Sequence, residues 1–381
     1  MRPIKKKQRI PLPRPEVVAS PLAHHGAADY AELERLGLNP GDVLDFSVNS
    51  NPYGPSPAVR EALAEVPLDR YPDREALALR RALAKRLGVP PDRIVAGNGA
   101  AELIWCVAVA FLRPGDRGFV VEPTFGEYAR AAVLAGSRVE TWRADPARDF
   151  AIEPQAVAES LRRTQPRVAF LCNPNNPTGK TVPPGTLATW ARVYSRTLFV
   201  VDEAYLAFAA DVRSATTIDA DNILVLRSMT KDYALAGLRL GYAVGHPDVV
   251  AALARVRPPW SVNAMAQAAG VAALAAEEHL RRSLSELARG KKALVAELGS
   301  LGLECLPSAT HYFLVHVGDG AAFRSALLRR RVQVRDCASF GLPAYVRIAT
   351  RRPEENARLL EAIRADTDIA DAGIRVLKAG R

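Results

Sequence analysis

The chain has 381 residues, 49% of them apolar, and a formal net charge of +10. This length allows a large core and favours two domains, or one large domain with a smaller satellite. The four cysteines are widely spaced without a CxxC pair and the six histidines lack HExxH spacing, so we expect neither disulfides nor a metal. No apolar run approaches the roughly 18 residues that span a bilayer, and the N-terminus lacks the apolar core of a secretory signal. The expected location is the cytoplasm, with no membrane partner.

The basic surplus raises the question of a nucleic-acid partner. Part of it lies in an N-terminal cluster of Lys and Arg mixed with proline, which is typical of a disordered tail, here residues 1–20. Elsewhere arginines alternate with acidic residues, and a basic surplus also suits an anionic small substrate. We therefore expect a small-molecule partner and no nucleic acid.

After the tail, residues 24–45 are predicted to be helical, and residues 49–57, NSNPYGPSP, form a turn-rich loop. An amphipathic helix is predicted over residues 74–87, and a mostly buried helix over residues 100–112. Short apolar runs then alternate with helical patterns. These runs begin at Arg117, Val168, Leu198 and Asn222.

Strands that are separated by helices and lack tight hairpin turns argue for a parallel sheet with crossover helices. From about residue 262, long Ala/Leu-rich helices precede two further strands, FLVHV and YVRIAT, which predicts a smaller α+β domain. The expected division after the tail is a segment at 21–48 that joins the small domain, a large domain at 49–262 and a small domain at 263–381.

Polar residues follow three of the predicted strands, at positions 173–179, 202–205 and 228–231. In an open parallel sheet, ligands bind beyond the carboxyl ends of the strands. The pattern therefore predicts an active site at that edge of the sheet.

Lys231 stands in the stretch SMTKDYALAGLRLG, directly after a predicted buried strand. A charged lysine beside buried surface is costly, so its ammonium group either extends to solvent or is kept neutral for chemistry. A desolvated lysine near a cationic arginine, here Arg239, has a lowered pKa and can form a Schiff base.

Pyridoxal phosphate needs such a lysine, a carboxylate for its pyridinium nitrogen, a donor to its ring hydroxyl and a nest for its phosphate. Asp202, in VVDEAY, is the candidate carboxylate, with a helix cap or a structural salt bridge as the alternative. Asn176, in NPNNPTG, is the candidate donor, although this composition by itself indicates only a turn.

The phosphate nest is predicted where the turn GNGAA opens a helix, because exposed amide groups and the helix dipole attract an anion. Such capping turns are common, so the turn alone is weak support. The candidate phosphate ligands are Gly99, Ala100, Ala101, Ser228, Thr230 and Arg239.

The stretch SMTKDYALAGLRLG resembles the lysine signature of the class I/II aminotransferase family, the fold-type I pyridoxal-phosphate enzymes. NPNNPTG and VVDEAY precede it in the order that this family shows. The resemblance runs from about residue 24 to the final helix. It implies an α/β fold with a large domain around a mainly parallel seven-stranded sheet, and a smaller α+β domain. It also implies pyridoxal phosphate as cofactor, with Lys231, Asp202 and Tyr205 as catalytic residues.

Further roles follow from the same resemblance. Phe125, in PTFGEY, corresponds to the aromatic residue that stacks on the cofactor ring, and Tyr205 to the phenol near the ring oxygen. Tyr71, in RYPD, matches a tyrosine that reaches the phosphate in a neighbouring subunit, which implies a homodimer. Arg347, in YVRIAT, matches the arginine that clamps a substrate carboxylate, a bidentate task that suits guanidinium.

Two branches of the family that act on phosphorylated substrates remain open. NSNPYGPSP and RYPD are similar to histidinol-phosphate aminotransferase, whereas His25-Gly26, DVLDFSVNSNP, RPPWSVNAMAQ and VRDCASF are more similar to threonine-phosphate decarboxylase of cobalamin assembly. In the second branch, the histidine and the asparagine help to bind the substrate phosphate, although His25 also suits a helix cap. The expected substrate ligands are His25, Asn49, Arg335 and Arg347.

The chemistry depends on which bond of the substrate stands perpendicular to the cofactor ring, and the sequence does not fix that angle. The sequence analysis favours a lyase, decarboxylation of L-threonine O-3-phosphate to aminopropanol phosphate. The alternatives are histidinol-phosphate aminotransferase, a transferase of histidine biosynthesis, and a related aminotransferase for unphosphorylated amino acids.

Overall fold

The computed structural model describes residues 11–20 and 26–365. Its helices are α1 (Pro15–Ala19), α2 (Tyr30–Arg35), α3 (Pro57–Ala64), α4 (Leu77–Leu87), α5 (Gly99–Phe111), α6 (Glu127–Leu134), α7 (Pro154–Thr164), α8 (Pro184–Val193), α9 (Pro247–Val256), α10 (Ala264–Ala275), α11 (Glu277–Ser300), α12 (Gly320–Arg329) and α13 (Pro353–Arg364). Its strands are β1 (Leu44–Asp45), β2 (Ile94–Asn98), β3 (Arg117–Glu122), β4 (Arg138–Arg143), β5 (Val168–Cys172), β6 (Leu198–Asp202), β7 (Ile223–Ser228), β8 (Leu240–Val244), β9 (Glu304–Cys305), β10 (Tyr312–His316), β11 (Val332–Gln333), β12 (Arg335–Asp336) and β13 (Tyr345–Ala349).

A seven-stranded sheet forms the centre of the larger part of the molecule, in the order β2-β8-β7-β6-β5-β3-β4. Only β8 runs antiparallel to its neighbours, so the predicted α/β fold with a mainly parallel seven-stranded sheet is confirmed. Every residue of β5 and β6 is buried. Helices cover both faces of such a sheet, which is why these strands appear in the sequence as continuous apolar runs.

A smaller antiparallel sheet, in the order β12-β13-β10-β9, packs against α11, α12 and α13. Its core includes Phe313, Ile348 and Leu359, and Phe46 from the N-terminal part of the chain is buried in the same cluster. Strand β1 pairs in parallel with β11, with Leu44 opposite Val332. Helix α10, by contrast, shares a core with α3 and α4. The domain boundaries given above stay a prediction.

The helix predicted over residues 24–45 is wrong for most of its length. Only α2 is an α-helix there, and it ends before Gly37, whose φ of +66° suits glycine and not a continuing helix. Pro40 then starts a single 3₁₀ turn, and Leu44 enters strand β1. Helix α1 lies inside the segment 1–20 for which the sequence predicts a disordered tail, and residues 1–10 and His25 lie outside the described residues.

Within the described ranges, no helix combines the length and the apolar character that crossing a bilayer would require.

Candidate active site

A cleft of about 1080 Å³ opens at the carboxyl edge of the large sheet. Its lining includes nine of the residues that the sequence analysis selected: Asn49, Ala101, Phe125, Asn176, Tyr205, Lys231, Arg239, Arg335 and Arg347. Asp202, Ser228 and Thr230 are buried at the ends of the strands beneath it. Tyr71 lies elsewhere, on the surface, where it is 78% exposed and stacks on Trp260. His25 lies outside the described residues.

Asp202 is a buried carboxylate whose two oxygens accept hydrogen bonds from neutral donors. The Tyr128 hydroxyl donates to Oδ2 over 2.7 Å, and the backbone N–H of Ala204 donates to Oδ1 over 2.9 Å. Burial raises the pKa of Asp202, and both hydrogen bonds oppose that shift. No arginine or lysine in the described part of the chain forms an ion pair with it. A carboxylate accepts about four hydrogen bonds, so Asp202 can still receive a cationic N–H donor.

Tyr128 is a residue of the site that the sequence analysis did not select. It lies on the first turn of α6, three positions after Phe125, and the two rings meet edge to face with centroids 5.6 Å apart. The motif PTFGEY contains both residues, so the signal that could have found Tyr128 is a hydroxyl-bearing aromatic residue one helical turn from the predicted stacking residue.

Lys231 follows β7, in a buried position near two guanidinium groups. Burial lowers the pKa of Lys231 to about 8; Arg347 and Arg239 add to that effect, and Asp202 opposes it. Burial and the two guanidinium groups all favour the neutral amine, which is the nucleophilic and basic form.

The N-terminus of α5 forms one wall of the site, and two glycines allow it to approach its neighbours. Gly99 starts the helix with a φ of +77°, and a Cβ atom there would lie 2.9 Å from Nη2 of Arg239. A Cβ atom on Gly241 of β8 would lie 2.4 Å from the backbone nitrogen of Ala100. These positions exclude larger side chains, so the helix terminus and the arginine can face one anion together.

The Oγ atoms of Ser228 and Thr230 lie 2.6 Å apart at the end of β7, the strand that pairs with β8. Ser228 is opposite Gly241 in this pairing, which brings both hydroxyl groups next to the start of α5. Hydroxyl donors, helix amides and a guanidinium are together the chemistry that holds a phosphate. The arrangement therefore fits the phosphate of pyridoxal phosphate, as Lys231 and Asp202 fit its aldehyde and its ring nitrogen.

Arg347 and Asn176 form a buried pair across the cleft. Nη1 of Arg347 donates to Oδ1 of Asn176, and Nη2 donates to the backbone oxygen of Ser47 over 2.5 Å. This orients the asparagine amide so that its NH₂ group is the part left to donate to a ligand. Arg347 also lies over the ring of Tyr312, with its guanidinium carbon 5.5 Å from the ring centroid.

Asn49 and Tyr205 complete this side of the cleft. Asn49 is 1% exposed, and neither its Oδ1 nor its Nδ2 has a hydrogen-bond partner of ordinary geometry among the described residues. Burial raises the pKa of Tyr205 to about 12, with Arg347 the largest opposing influence. A side-chain interaction with Asn49 also opposes the rise in the pKa of Tyr205, so the Asn49 amide lies next to the Tyr205 phenol in the cleft.

A sequence model of the family "Aminotransferase class I and II" matches residues 41–363. The chain belongs to this family. Together with the site, this membership makes the protein a pyridoxal-phosphate-dependent enzyme, as the sequence analysis predicts, and an aminotransferase, which the sequence analysis gave as the alternative to a lyase.

Relatives and solved structures agree with the assignment. The histidinol-phosphate aminotransferase of Symbiobacterium thermophilum is 41% identical over 338 residues, which cover 87% of this chain and 91% of that protein. The structure of histidinol-phosphate aminotransferase from Sinorhizobium meliloti, in complex with pyridoxal-5'-phosphate, has a TM-score of 0.84 and 24% identity, and covers 97% of this chain and 100% of its own. That likeness shows the fold. The structure of L-threonine-O-3-phosphate decarboxylase from Porphyromonas gingivalis has a TM-score of 0.75 and 28% identity, and covers 85% of this chain and 98% of its own.

These findings overturn the prediction of a threonine-phosphate decarboxylase. Curated relatives that are 35% to 41% identical over most of the chain are histidinol-phosphate aminotransferases, while the decarboxylase is a more distant neighbour. The motif RPPWSVNAMAQ misled because its distinctive residues support the backbone and not the substrate. Arg257 donates to the carbonyl groups of Ala96 and Arg74, and Trp260 stacks on Tyr71.

Proposed function

We propose that this protein is a histidinol-phosphate aminotransferase, which exchanges an amino group between histidinol phosphate and a 2-oxo acid such as 2-oxoglutarate. The observation that carries the proposal is the 41% identity to a histidinol-phosphate aminotransferase over 87% of the chain. A cleft lined by Arg239, Arg335 and Arg347 is consistent with a substrate that carries a phosphate.

Bound pyridoxal phosphate supplies an aldehyde that takes up the substrate amine and a ring that accepts the electron pair left when the Cα proton departs. Lys231 is the proposed general base: its Nζ removes that proton and later returns one, and its lowered pKa of about 8 suits a base near neutral pH. Asp202 holds the positive charge at the ring nitrogen, because its carboxylate has neutral donors and no cation of its own.

The remaining residues hold and orient the cofactor. Phe125 stacks on the ring, while Asn176 and Tyr205 donate to the ring oxygen. Gly99, Ala100 and Ala101 provide amides to the cofactor phosphate, and Ser228, Thr230 and Arg239 provide side chains.

Substrate recognition is assigned to Arg347, Arg335 and Asn49. Histidinol phosphate has no carboxylate, so the arginines take its phosphate in one half-reaction and a carboxylate of the oxo acid in the other. His25 is proposed as a further phosphate ligand on the resemblance alone.

A homodimer is also proposed, in which Tyr71 contacts the cofactor phosphate in the neighbouring subunit. The exposed stack of Tyr71 on Trp260 supports it, since exposed aromatic pairs are enriched at interfaces. Four unpaired cysteines support a reducing compartment, the cytoplasm.

Purified enzyme loaded with cofactor tests the substrate assignment directly. Incubation with histidinol phosphate and 2-oxoglutarate is expected to release glutamate, while threonine phosphate is expected to release no carbon dioxide. Lys231→Ala is the inactive control. Glutamate formed faster from an unphosphorylated amino acid than from histidinol phosphate would contradict the proposal.

A further inference from the structure

The loop NSNPYGPSP contains a second buried asparagine, Asn51, to which neither the cofactor nor the substrate assignment gives a role. Asn51 is 4% exposed, and its backbone N–H donates to the backbone oxygen of Lys231 over 2.9 Å. Its side-chain Nδ2 donates to the backbone oxygen of Asp232 over 2.9 Å and to Oγ of Ser283 over 2.8 Å. Its Oδ1 accepts from the backbone N–H of Tyr53 over 3.1 Å. Its backbone oxygen accepts from the backbone N–H of Gly54 over 3.4 Å, so all of its polar groups have partners within the chain.

These bonds join three parts of the molecule that are far apart in the sequence. One is the loop after β7, one is the loop 49–54, and the third is helix α11, which carries Ser283. A second bond connects the loop to the same helix, between His279 Nε2 and the backbone oxygen of Gly54 over 3.0 Å. Ser283 Oγ donates to the backbone oxygen of Leu280, so its own position on α11 is fixed.

The backbone of Lys231 needs such support because it lies outside the sheet. Strand β7 ends at Ser228, and the chain then passes through a turn in which Ala234 has a φ of +57°. A general base must return to the same place in every turnover, and a displacement of about 1 Å costs up to roughly 100-fold in rate. The peptide groups of residues 231 and 232 set the origin and direction of the lysine side chain.

We infer that Asn51 is a positioning residue for the catalytic reaction: its backbone N–H holds the backbone oxygen of Lys231, its side chain bridges the backbone oxygen of Asp232 to helix α11, and together these bonds fix the direction in which the Lys231 side chain enters the cleft. The inference rests on the proposed role of Lys231. It requires no particular substrate.

The test measures the visible absorbance of the loaded enzyme as a function of pH, together with kcat and KM. Asn51→Ala removes both Nδ2 bonds, so Nζ of Lys231, which would be bound to the cofactor aldehyde in the loaded enzyme, is less firmly held in its buried position near Arg347 and Arg239, and the pH midpoint of the absorbance change is expected to rise by about half a unit or more. The kcat is expected to fall by about tenfold or more with KM nearly unchanged, since the loss acts on the chemical step.

Asn51→Asp separates the donor bonds from packing. It keeps the size of the side chain and the acceptor for the Tyr53 N–H, but it has no NH₂ group. The fall in kcat is expected to match that in Asn51→Ala; the midpoint is compared only in Asn51→Ala, because the added negative charge of aspartate would itself raise it. A wild-type kcat in either variant, or a wild-type midpoint in Asn51→Ala, would overturn the inference.

Asn222→Ala is the matched control, because Nδ2 of Asn222 also donates to backbone oxygens, those of Ala191, Tyr194 and Thr197, away from the cleft. It is expected to lower stability without moving the absorbance midpoint. An equal shift in this variant would reduce the effect of Asn51 to general destabilisation and overturn the inference.

Ser283→Ala keeps the inference testable if the Asn51 variants do not fold, since it removes one acceptor and leaves the bond to Asp232. A smaller shift in the same direction is expected, and wild-type behaviour would overturn the bridge to α11. Lys231→Ala distinguishes the two proposals: if its absorbance is unchanged, the role of Lys231 itself is wrong, whereas loss of absorbance there with no effect in Asn51→Ala rejects only the inference.

Discussion

Asp202 and Glu203 are consecutive buried carboxylates at the end of β6, yet their surroundings differ. Glu203 has an arginine partner: Nε of Arg227 lies 2.9 Å from its Oε2. The hydroxyl of Ser214 and the backbone N–H of Ala215 donate to the same carboxylate over 2.7 Å and 2.6 Å. Asp202 has a phenol and one backbone N–H instead.

The same contrast appears between two cationic residues, Arg227 on β7 and Lys231 just after it. Arg227 pairs with Glu203 and bonds to Ser214, while Lys231 forms no ion pair in the described part of the chain. Successive residues of a strand point to opposite faces, so Glu203 with its partner Arg227 lies on the opposite side of β6 from Asp202. Burial raises the pKa of both carboxylates, but within the described ranges only Glu203 of the two has an arginine ion pair that opposes the rise.

Asp202, which has no arginine partner among the described residues, therefore lies where the cofactor is proposed to bind, and the Glu203–Arg227 ion pair joins the ends of β6 and β7. We therefore expect that removing the charge of Asp202 mainly lowers kcat, and that removing the charge of Glu203 mainly lowers the free energy of unfolding.

The largest effect is expected for Asp202→Asn. The amide keeps a hydrogen bond with Tyr128 but loses the negative charge at the ring nitrogen, so kcat should fall by about 10² to 10³-fold. The free energy of unfolding of the cofactor-free enzyme should stay equal or rise, since a buried charge without a cation has been removed. Steady-state kinetics and chemical denaturation measure the two quantities. Near wild-type kcat would contradict the role of Asp202.

Glu203→Gln is expected to show the reverse pattern. The uncharged side chain leaves Arg227 buried without its partner, which should lower the free energy of unfolding by about 3 kcal/mol. The kcat of the fraction that remains folded should change by less than about threefold, because Glu203 does not line the cleft. If kcat fell as far as in Asp202→Asn, the two carboxylates would not have separate functions.

Lys231 should make stability depend on pH. Its pKa is lowered from 10.5 in the unfolded chain to about 8 in the folded one, so between these values the unfolded state binds the extra proton. The free energy of unfolding of the cofactor-free enzyme should therefore rise by up to about 3 kcal/mol from pH 8 to pH 10.5. Below pH 8 the contribution of Lys231 to this free energy does not change with pH. Lys231→Met should lack this rise, and Lys85→Met, at an exposed position of α4, should keep it. Parallel curves for Lys231→Met and wild type would contradict the lowered pKa.

The sequence predicted the features that depend on neighbouring residues and missed those that depend on contacts between distant ones. The strands β3, β5, β6 and β7 were predictable because burial on both faces leaves continuous apolar runs, and the polar residues at their ends indicated the site. The bond between Tyr128 and Asp202 joins residues 74 positions apart, and that between Asn51 and Ser283 joins residues 232 apart. No local pattern records such contacts.

The substrate was predicted wrongly for a related reason. RPPWSVNAMAQ was one of the motifs that suggested the decarboxylase, but its Arg257 holds backbone oxygens and its Trp260 stacks on Tyr71. Residues that fix the scaffold carry no direct information about the bond that reacts.

Tyr128→Phe is expected to have the smallest effect and to test the comparison most finely. It removes the 2.7 Å hydrogen bond to Oδ2 of Asp202, the first of the interactions that oppose the effect of burial on the pKa of that carboxylate. The pKa of Asp202 should therefore rise further, and the acid limb of the kcat profile should move to higher pH. A hydrogen bond to a charged group contributes about 1.5–3 kcal/mol; because the bond from the Ala204 N–H remains, we expect the lower end, a fall in kcat at neutral pH of roughly tenfold.

Tyr194→Phe is the matched control, since the Tyr194 hydroxyl donates to the backbone oxygen of Ala158 over 2.6 Å, away from the cleft. Its pH profile should equal that of the wild type. An unmoved acid limb in Tyr128→Phe would mean that Asp202 is kept ionised by the cofactor alone, and that the neutral donors around it serve only to satisfy its oxygens. A shift confined to Tyr128→Phe would instead mean that the phenol helps to keep Asp202 ionised where Glu203 relies on Arg227.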